Sequence, residues 1–165
     1  MDNRKKLREL NDVQIGYLAG LIDGEGTITL TFKDSRAYRQ LVVTISNNEL
    51  PLLERIIKIT GVGTIIKKKP KNKKHFLSYT YRITNRQALE LLKKIHPYLM
   101  TYKRIRSQML LKSYLKLTPR NGRYSKSIFK KRGAFIEKFF KIKAGVEVGR
   151  LNSRPKLFRQ TVLQA

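Results

Sequence analysis

The 165-residue chain contains no cysteine and only two histidines, His75 and His96. Without cysteine there is neither a disulfide framework nor a zinc finger, and two histidines are too few for a His-rich metal site. Any metal must therefore be held by oxygen, which points to a hard ion such as Mg²⁺. No apolar run approaches the roughly 18 residues that a membrane span needs, and Met1 to Leu10 carries charges where a signal peptide needs an apolar core. The reading is an intracellular, soluble protein of the cytoplasm, the nucleoid or an organelle.

Acid is scarce as well. Eleven Asp and Glu stand against 37 Lys and Arg, for a formal net charge of +26. Like charge at that density opposes compaction, and natural proteins usually carry it when a polyanion neutralises it. A hydrophobic fraction of 41%, with aromatics spread along the chain, nevertheless argues for a folded protein and against a disordered basic tail. Only two acids, Glu137 and Glu147, fall after residue 100. Acid-dependent chemistry is therefore expected in the first part of the chain, and the C-terminal third reads as a surface that grips a phosphate backbone.

The length suits one domain spanning 1–165, with a core at about 12–117 and a basic helical extension at about 118–165. Asn11 and Asp12 are N-cap types, and Ile15, Leu18, Ala19 and Ile22 recur at helical spacing over Val13 to Ile22. This first helix ends at the Gly24-Glu25-Gly26 turn. Thr27 to Lys33 alternates strictly and Tyr38 to Ser46 alternates again, which makes a hairpin around Asp34-Ser35. Asn47-Asn48 are placed to cap a second helix, with Pro51 in its first turn and Gly61 as its stop. Val62 to Lys69 and Phe76 to Thr84 form a second hairpin around a basic turn. Asn85 is placed to cap a third helix, which Pro97 breaks before a fourth through Met109, Tyr114 and Leu115. Thr118 to Lys126 reads as a polar loop and Ile128 to Ile142 as helix.

The order is αββαββα followed by helices, an α+β layer with one antiparallel sheet and the helices on one face. The opposite face would carry Thr27, Thr29, Thr31, Lys33, Tyr38, Gln40, Thr44, Lys68 and Arg82. A hydroxyl-rich, basic strand face suits the major groove of DNA, which admits a two-stranded ribbon and offers base-edge hydrogen bonds. It also suits plain exposure to water. Lys67, Lys68, Lys69, Lys71, Lys73 and Lys74 cluster at the second hairpin turn, where phosphate contact would give affinity and register without sequence choice.

Gly16, Gly20 and Gly24 recur every four residues, a narrow stripe along which a second copy of the helix could pack closely. Asp23 and Glu25 sit at the helix end, where carboxylates oppose the helix dipole by roughly 0.3–1 kcal/mol each. A cation held there by carboxylate and backbone oxygen would offset that cost. A plain acidic turn is the other reading of these residues.

Leu18 to Gly26, LAGLIDGEG, closely resembles the signature of the LAGLIDADG homing endonucleases, differing only at Gly24 and Glu25. The TITL strand, the VTISN segment, the GVG turn and LKKIHPYL resemble the same family in the same order. The resemblance implies an αββαββα fold with a saddle-shaped sheet on double-stranded DNA, its signature helix paired with that of a second copy. One motif per chain implies a homodimer on a pseudo-palindromic site. On this chain it implies Glu25 as the metal ligand of each active site, with the Gly24 carbonyl beside it. Gly16, Ala19, Gly20 and Asp23 would lie at the dimer interface, with Asp23 capping or pinning the helices. Asn47 matches an amide that orders water, unless it is only a helix cap. Lys103 matches a peripheral lysine that stabilises charge, with Tyr102 as the neighbouring alternative. The implied activity is a Mg²⁺-dependent double-strand break. An intron-encoded maturase acting on its host intron RNA and a non-catalytic basic nucleic-acid-binding protein are the competing readings.

Overall fold

The computed structural model describes residues 5–32, 38–68, 77–119 and 124–145. The chain orders as α1 (Asp12–Glu25), β1 (Gly26–Phe32), β2 (Arg39–Asn47), α2 (Leu50–Thr60), β3 (Thr64–Lys68), β4 (Ser78–Thr84), α3 (Asn85–Ile95), a 3-10 turn (His96–Tyr98), α4 (Tyr102–Leu117) and α5 (Lys126–Lys141). The αββαββα order followed by helices is thus the observed one. Lys69, the basic turn after it and Phe76 lie outside the described residues, as does much of the Thr118 to Lys126 loop.

Alternation fixes the sheet. The four strands run β1-β2-β4-β3, each antiparallel to its neighbours, so that each hairpin contributes one central and one edge strand. Ile28, Leu30, Leu41, Val43, Ile45, Tyr81 and Ile83 on one face are buried with Leu18, Ile22, Leu53, Ile56, Leu89, Leu92 and Leu110 from the helices. Register then places Thr27, Thr44, Arg82 and Thr64 in one row across the other face, with Thr29, Val42 and Thr84 in the next. One-sided burial of this kind locks the register, because a one-residue slip would turn every apolar strand residue outward.

The helix ends depart from the sequence reading at two points. Asn47-Asn48 do not cap α2: its N-cap is Glu49, without a side-chain bond, and Asn47 Oδ1 instead accepts from the Glu49 N–H at 2.8 Å. Asn85 does not cap α3 either. It occupies a left-handed conformation at φ 52°, with Thr84 as N-cap, and its side chain closes the end of the sheet. Asn85 Nδ2 donates to Gln40 Oε1 at 2.7 Å, while the Tyr114 hydroxyl donates to Asn85 Oδ1 and accepts from the Leu41 N–H, both at 2.9 Å. Short polar side chains favour caps and turns equally, so tertiary partners decided between them.

Candidate active site and nucleic-acid face

The site begins with α1. Asn11 and Gln14 form a capping box, Gln14 N–H to Asn11 Oδ1 at 2.9 Å and Asn11 N–H to Gln14 Oε1 at 3.2 Å. The helix runs past Ile22 through Glu25, and the Gly26 N–H still bonds the Ile22 carbonyl. Gly26 itself is extended, at φ −92° and ψ 165°, so its backbone conformation needs no glycine. Space does: a Cβ there would sit 2.6 Å from Ile22 Cα and 2.8 Å from its carbonyl oxygen. The tight passage from helix to strand thus depends on Gly26, and it delivers Glu25 to the mouth of β1.

Glu25 is exposed and makes no hydrogen bond or ion pair with a described residue. Asp23, two positions earlier, is fully engaged. Its Oδ2 accepts from the Met100 N–H and its Oδ1 from the Thr101 hydroxyl, both at 2.6 Å, so it pins the start of α4. The bond is returned. Lys103 Nζ donates to the Ile22 carbonyl at 2.7 Å, which the Gly26 N–H also bonds, and to the Asp23 carbonyl at 2.8 Å, one of the acceptors the last turn of α1 leaves open. Each helix terminus is therefore completed by a side chain from the other.

Lys103 is only 5% exposed. Burial pulls its ammonium below the ordinary lysine value, opposed by the negative charges of Asp23 and Glu25 and reinforced by nearby Arg106. Tyr102 keeps its ring 5.8 Å from Lys103 Nζ and 5.0 Å from the Arg106 guanidinium. Asn47 lies at the end of β2, two residues beyond Ile45, which pairs with Gly26. Asn47 and Glu25 therefore share one end of the sheet.

Other sequence candidates divide. Gly16, Gly20 and Gly24 line one side of α1, and a Cβ at any of them would meet nothing within 4 Å. Val13 and Tyr17 flank them, 81% and 40% exposed. Ala19 is not on that side: it is fully buried in the core against Leu18 and Ile22, which corrects its placement at a dimer interface. Thr27, Thr29, Thr44, Arg82 and Lys68 lie on the open sheet face as expected. Tyr38 does not. β2 starts after it, and its ring packs 4.3 Å from Tyr124 and beneath the Arg132 guanidinium at 4.9 Å. Gln40 is on the face but its amide oxygen is taken by Asn85, and the Thr31 hydroxyl is buried without a partner. Lys33, Lys71 and Lys73 lie outside the described residues.

Sequence reasoning missed Arg106, Met100 and Thr101. Two basic residues three apart, Lys103 and Arg106, on the apolar side of a helix were the available signal, since both must find acceptors once buried.

A polar sheet face in an excess of positive charge, with a carboxylate at its edge that bonds no described residue, defines an α+β protein built to act on a polyanion. A sequence model of the family described as LAGLIDADG endonuclease matches residues 18–118. The chain belongs to this family and is an endonuclease of the LAGLIDADG type. A crystal structure of the homing endonuclease I-CvuI in complex with its target is similar, with TM-score 0.64 and 20% identity over 82% of this chain and 85% of that one. The archaeal intron-encoded homing endonuclease I-Vdi141I, complexed with DNA, gives 0.56 and 19% over 81% and 86%. The LAGLIDADG meganuclease I-AabMI, bound to uncleaved DNA, gives 0.55 and 26%, covering 74% of this chain and 43% of that one.

Proposed function

We propose that the chain acts as a homodimer that makes a double-strand break in a long pseudo-palindromic DNA target, with a divalent cation, Mg²⁺ in the cell, at each Glu25. The observation that carries this reading is Glu25 itself: an exposed acid without a hydrogen bond or ion pair to any described residue, fixed at the end of a helix and beside an open polar sheet. An acid facing a polyanion weakens binding, so a pure binder has no use for it.

The donors fit a hard cation. Glu25 supplies a free carboxylate, and the Gly24 carbonyl is the next backbone oxygen after the two that Lys103 occupies. Among the described residues no cluster of three or more His, Cys, Asp or Glu stands at Glu25 to complete a coordination shell. DNA phosphate oxygens and the second protomer's Glu25 would complete it. Bound there, the cation would activate water and neutralise charge on the scissile phosphate. The rest falls to the chain. α1 and Gly26 hold Glu25 in place, Asn47 orders water at the same sheet end, and Lys103 contributes positive field from behind the helix terminus. Thr27, Thr29, Thr44 and Arg82 face base edges in the major groove, and Lys68 contacts phosphate.

Dimerisation through α1 is supported by the unfilled glycine side. The maturase reading gains no comparable support. The test is incubation of the protein with plasmids carrying candidate insertion sites and Mg²⁺. Linearisation at one site is expected, and absence of cutting at every site removes the reading.

A further inference from the structure

α4 carries two buried cations three residues apart. Lys103 faces the carbonyls of Ile22 and Asp23, before Glu25. Arg106 faces the segment after it, with Nη1 donating to the Ile28 carbonyl at 2.9 Å. The other side of its guanidinium donates to the Ile142 carbonyl, Nη2 at 2.7 Å and Nε at 3.0 Å, just past the end of α5. The rings of Tyr102 and Phe139 lie 5.0 and 4.9 Å from it. Arg106 is 9% exposed and has no carboxylate partner among the described residues.

A buried cation costs several kcal/mol unless fully compensated, and here only backbone oxygens and ring faces compensate it. Apolar side chains would fill that space at lower cost. What an apolar residue could not do is tie α4 to two separate backbone segments, the start of β1 and the end of α5, beside the Lys103 bonds to α1. Arginine is suited to this because its fork directs several donors rigidly from one planar group.

We propose that Arg106 is a positioning residue for Glu25, acting with Lys103 as a two-sided clamp on the backbone from Ile22 to Ile28. The two cations hold that backbone at one end each, so the helix-to-strand passage cannot shift along α4. Glu25, whose side chain bonds no described residue, takes its position from that backbone. The inference rests on the nuclease reading of Glu25 and adds the device that sets its geometry.

The test uses the full-length protein, with Arg106→Leu and Arg106→Lys beside wild type and Glu25→Gln. In metal-free protein, amide exchange at Gly24 to Thr27 should rise about tenfold or more in Arg106→Leu, with α3 amides unchanged. Single-turnover cleavage should fall by about tenfold or more, since a misplacement of about 1 Å costs up to 100-fold, and the Mg²⁺ midpoint should rise. DNA affinity in Ca²⁺ should stay within about twofold, and Arg106→Lys should recover part of both losses. Wild-type exchange and cleavage in Arg106→Leu, or DNA affinity falling as far as the rate, would overturn the clamp. If Arg106→Leu does not fold, Arg106→Lys decides: a wild-type Mg²⁺ midpoint and wild-type exchange overturn it. Wild type that cuts nothing overturns the nuclease reading and the inference with it. Wild type that cuts, Glu25→Gln that does not, and unaltered Arg106 variants overturn the inference alone.

Discussion

Replacing Asp23 by alanine and by asparagine separates its two contributions. The carboxylate receives two short bonds, from the Met100 N–H and the hydroxyl of Thr101, the N-cap of α4. Bonds to a charged acceptor contribute about 1.5–3 kcal/mol each, and loss of a helix cap about 0.5–2 kcal/mol. Met100 is exposed, so water replaces the carboxylate there; Thr101 is half-buried, and its loss counts more fully. Alanine should therefore cost about 2 kcal/mol, and asparagine, which keeps one acceptor and can donate to the Thr101 hydroxyl, about 1 kcal/mol. At about 2–4 °C per kcal/mol for a chain of this size, Tm should fall by about 4–8 °C and about half that. Calorimetry at one fixed protein concentration measures both, because the Tm of the proposed dimer would depend on concentration. An alanine variant melting with wild type, or an asparagine variant as damaged as alanine, would refute the clasp.

Gly20→Leu should leave the folded chain intact, since nothing lies within 4 Å of a Cβ there, yet halve the mass seen by sedimentation; an intact dimer would refute packing along the glycine side. Burial pushes the Tyr81 hydroxyl from its ordinary 10.0 up to about 12, while the Thr60 bond acts against that rise. The unfolded chain releases this proton first, so the stabilisation is present below pH 10 and about 2–3 kcal/mol of it is lost as pH approaches 12. Tyr81→Phe should lose about 1 kcal/mol at neutral pH, with its bond to the Val62 carbonyl, and should flatten the decline measured by denaturant titration between about pH 10 and 12. An undiminished slope in that variant would count against the assignment.

Elements governed by local pattern were legible in the sequence. Strict alternation over Thr27 to Lys33 and the small-residue helix before it predict β1 and α1, and the LAGLIDGEG segment identifies Glu25. What escaped was decided across the chain. Asp23 and Lys103 are 80 residues apart in sequence and meet only because α4 returns to the end of α1. Asn85 reads as a cap by residue type, yet Gln40 and Tyr114 claim its side chain. Tyr38 continues the alternation of β2 in sequence, but Tyr124 and Arg132 draw it away from the strand. Ala19 belongs to the small-residue signature, but helical spacing turns it toward the core while Gly16 and Gly20 turn outward. Arg106 carried no local signal beyond its spacing from Lys103.

Cleavage by Glu25→Gln tests the central claim most directly. The substitution keeps size and removes the charge of a side chain that bonds no described residue, so fold and DNA affinity should be retained. With a target that the wild-type protein cuts in Mg²⁺, the variant should bind with affinity within about threefold of wild type, because affinity comes mainly from phosphate contacts. Its single-turnover rate should fall below about one-thousandth of wild type, as loss of a metal ligand removes several kcal/mol of charge stabilisation. A variant that binds and cuts at near wild-type rate would place the chemistry elsewhere and contradict the account.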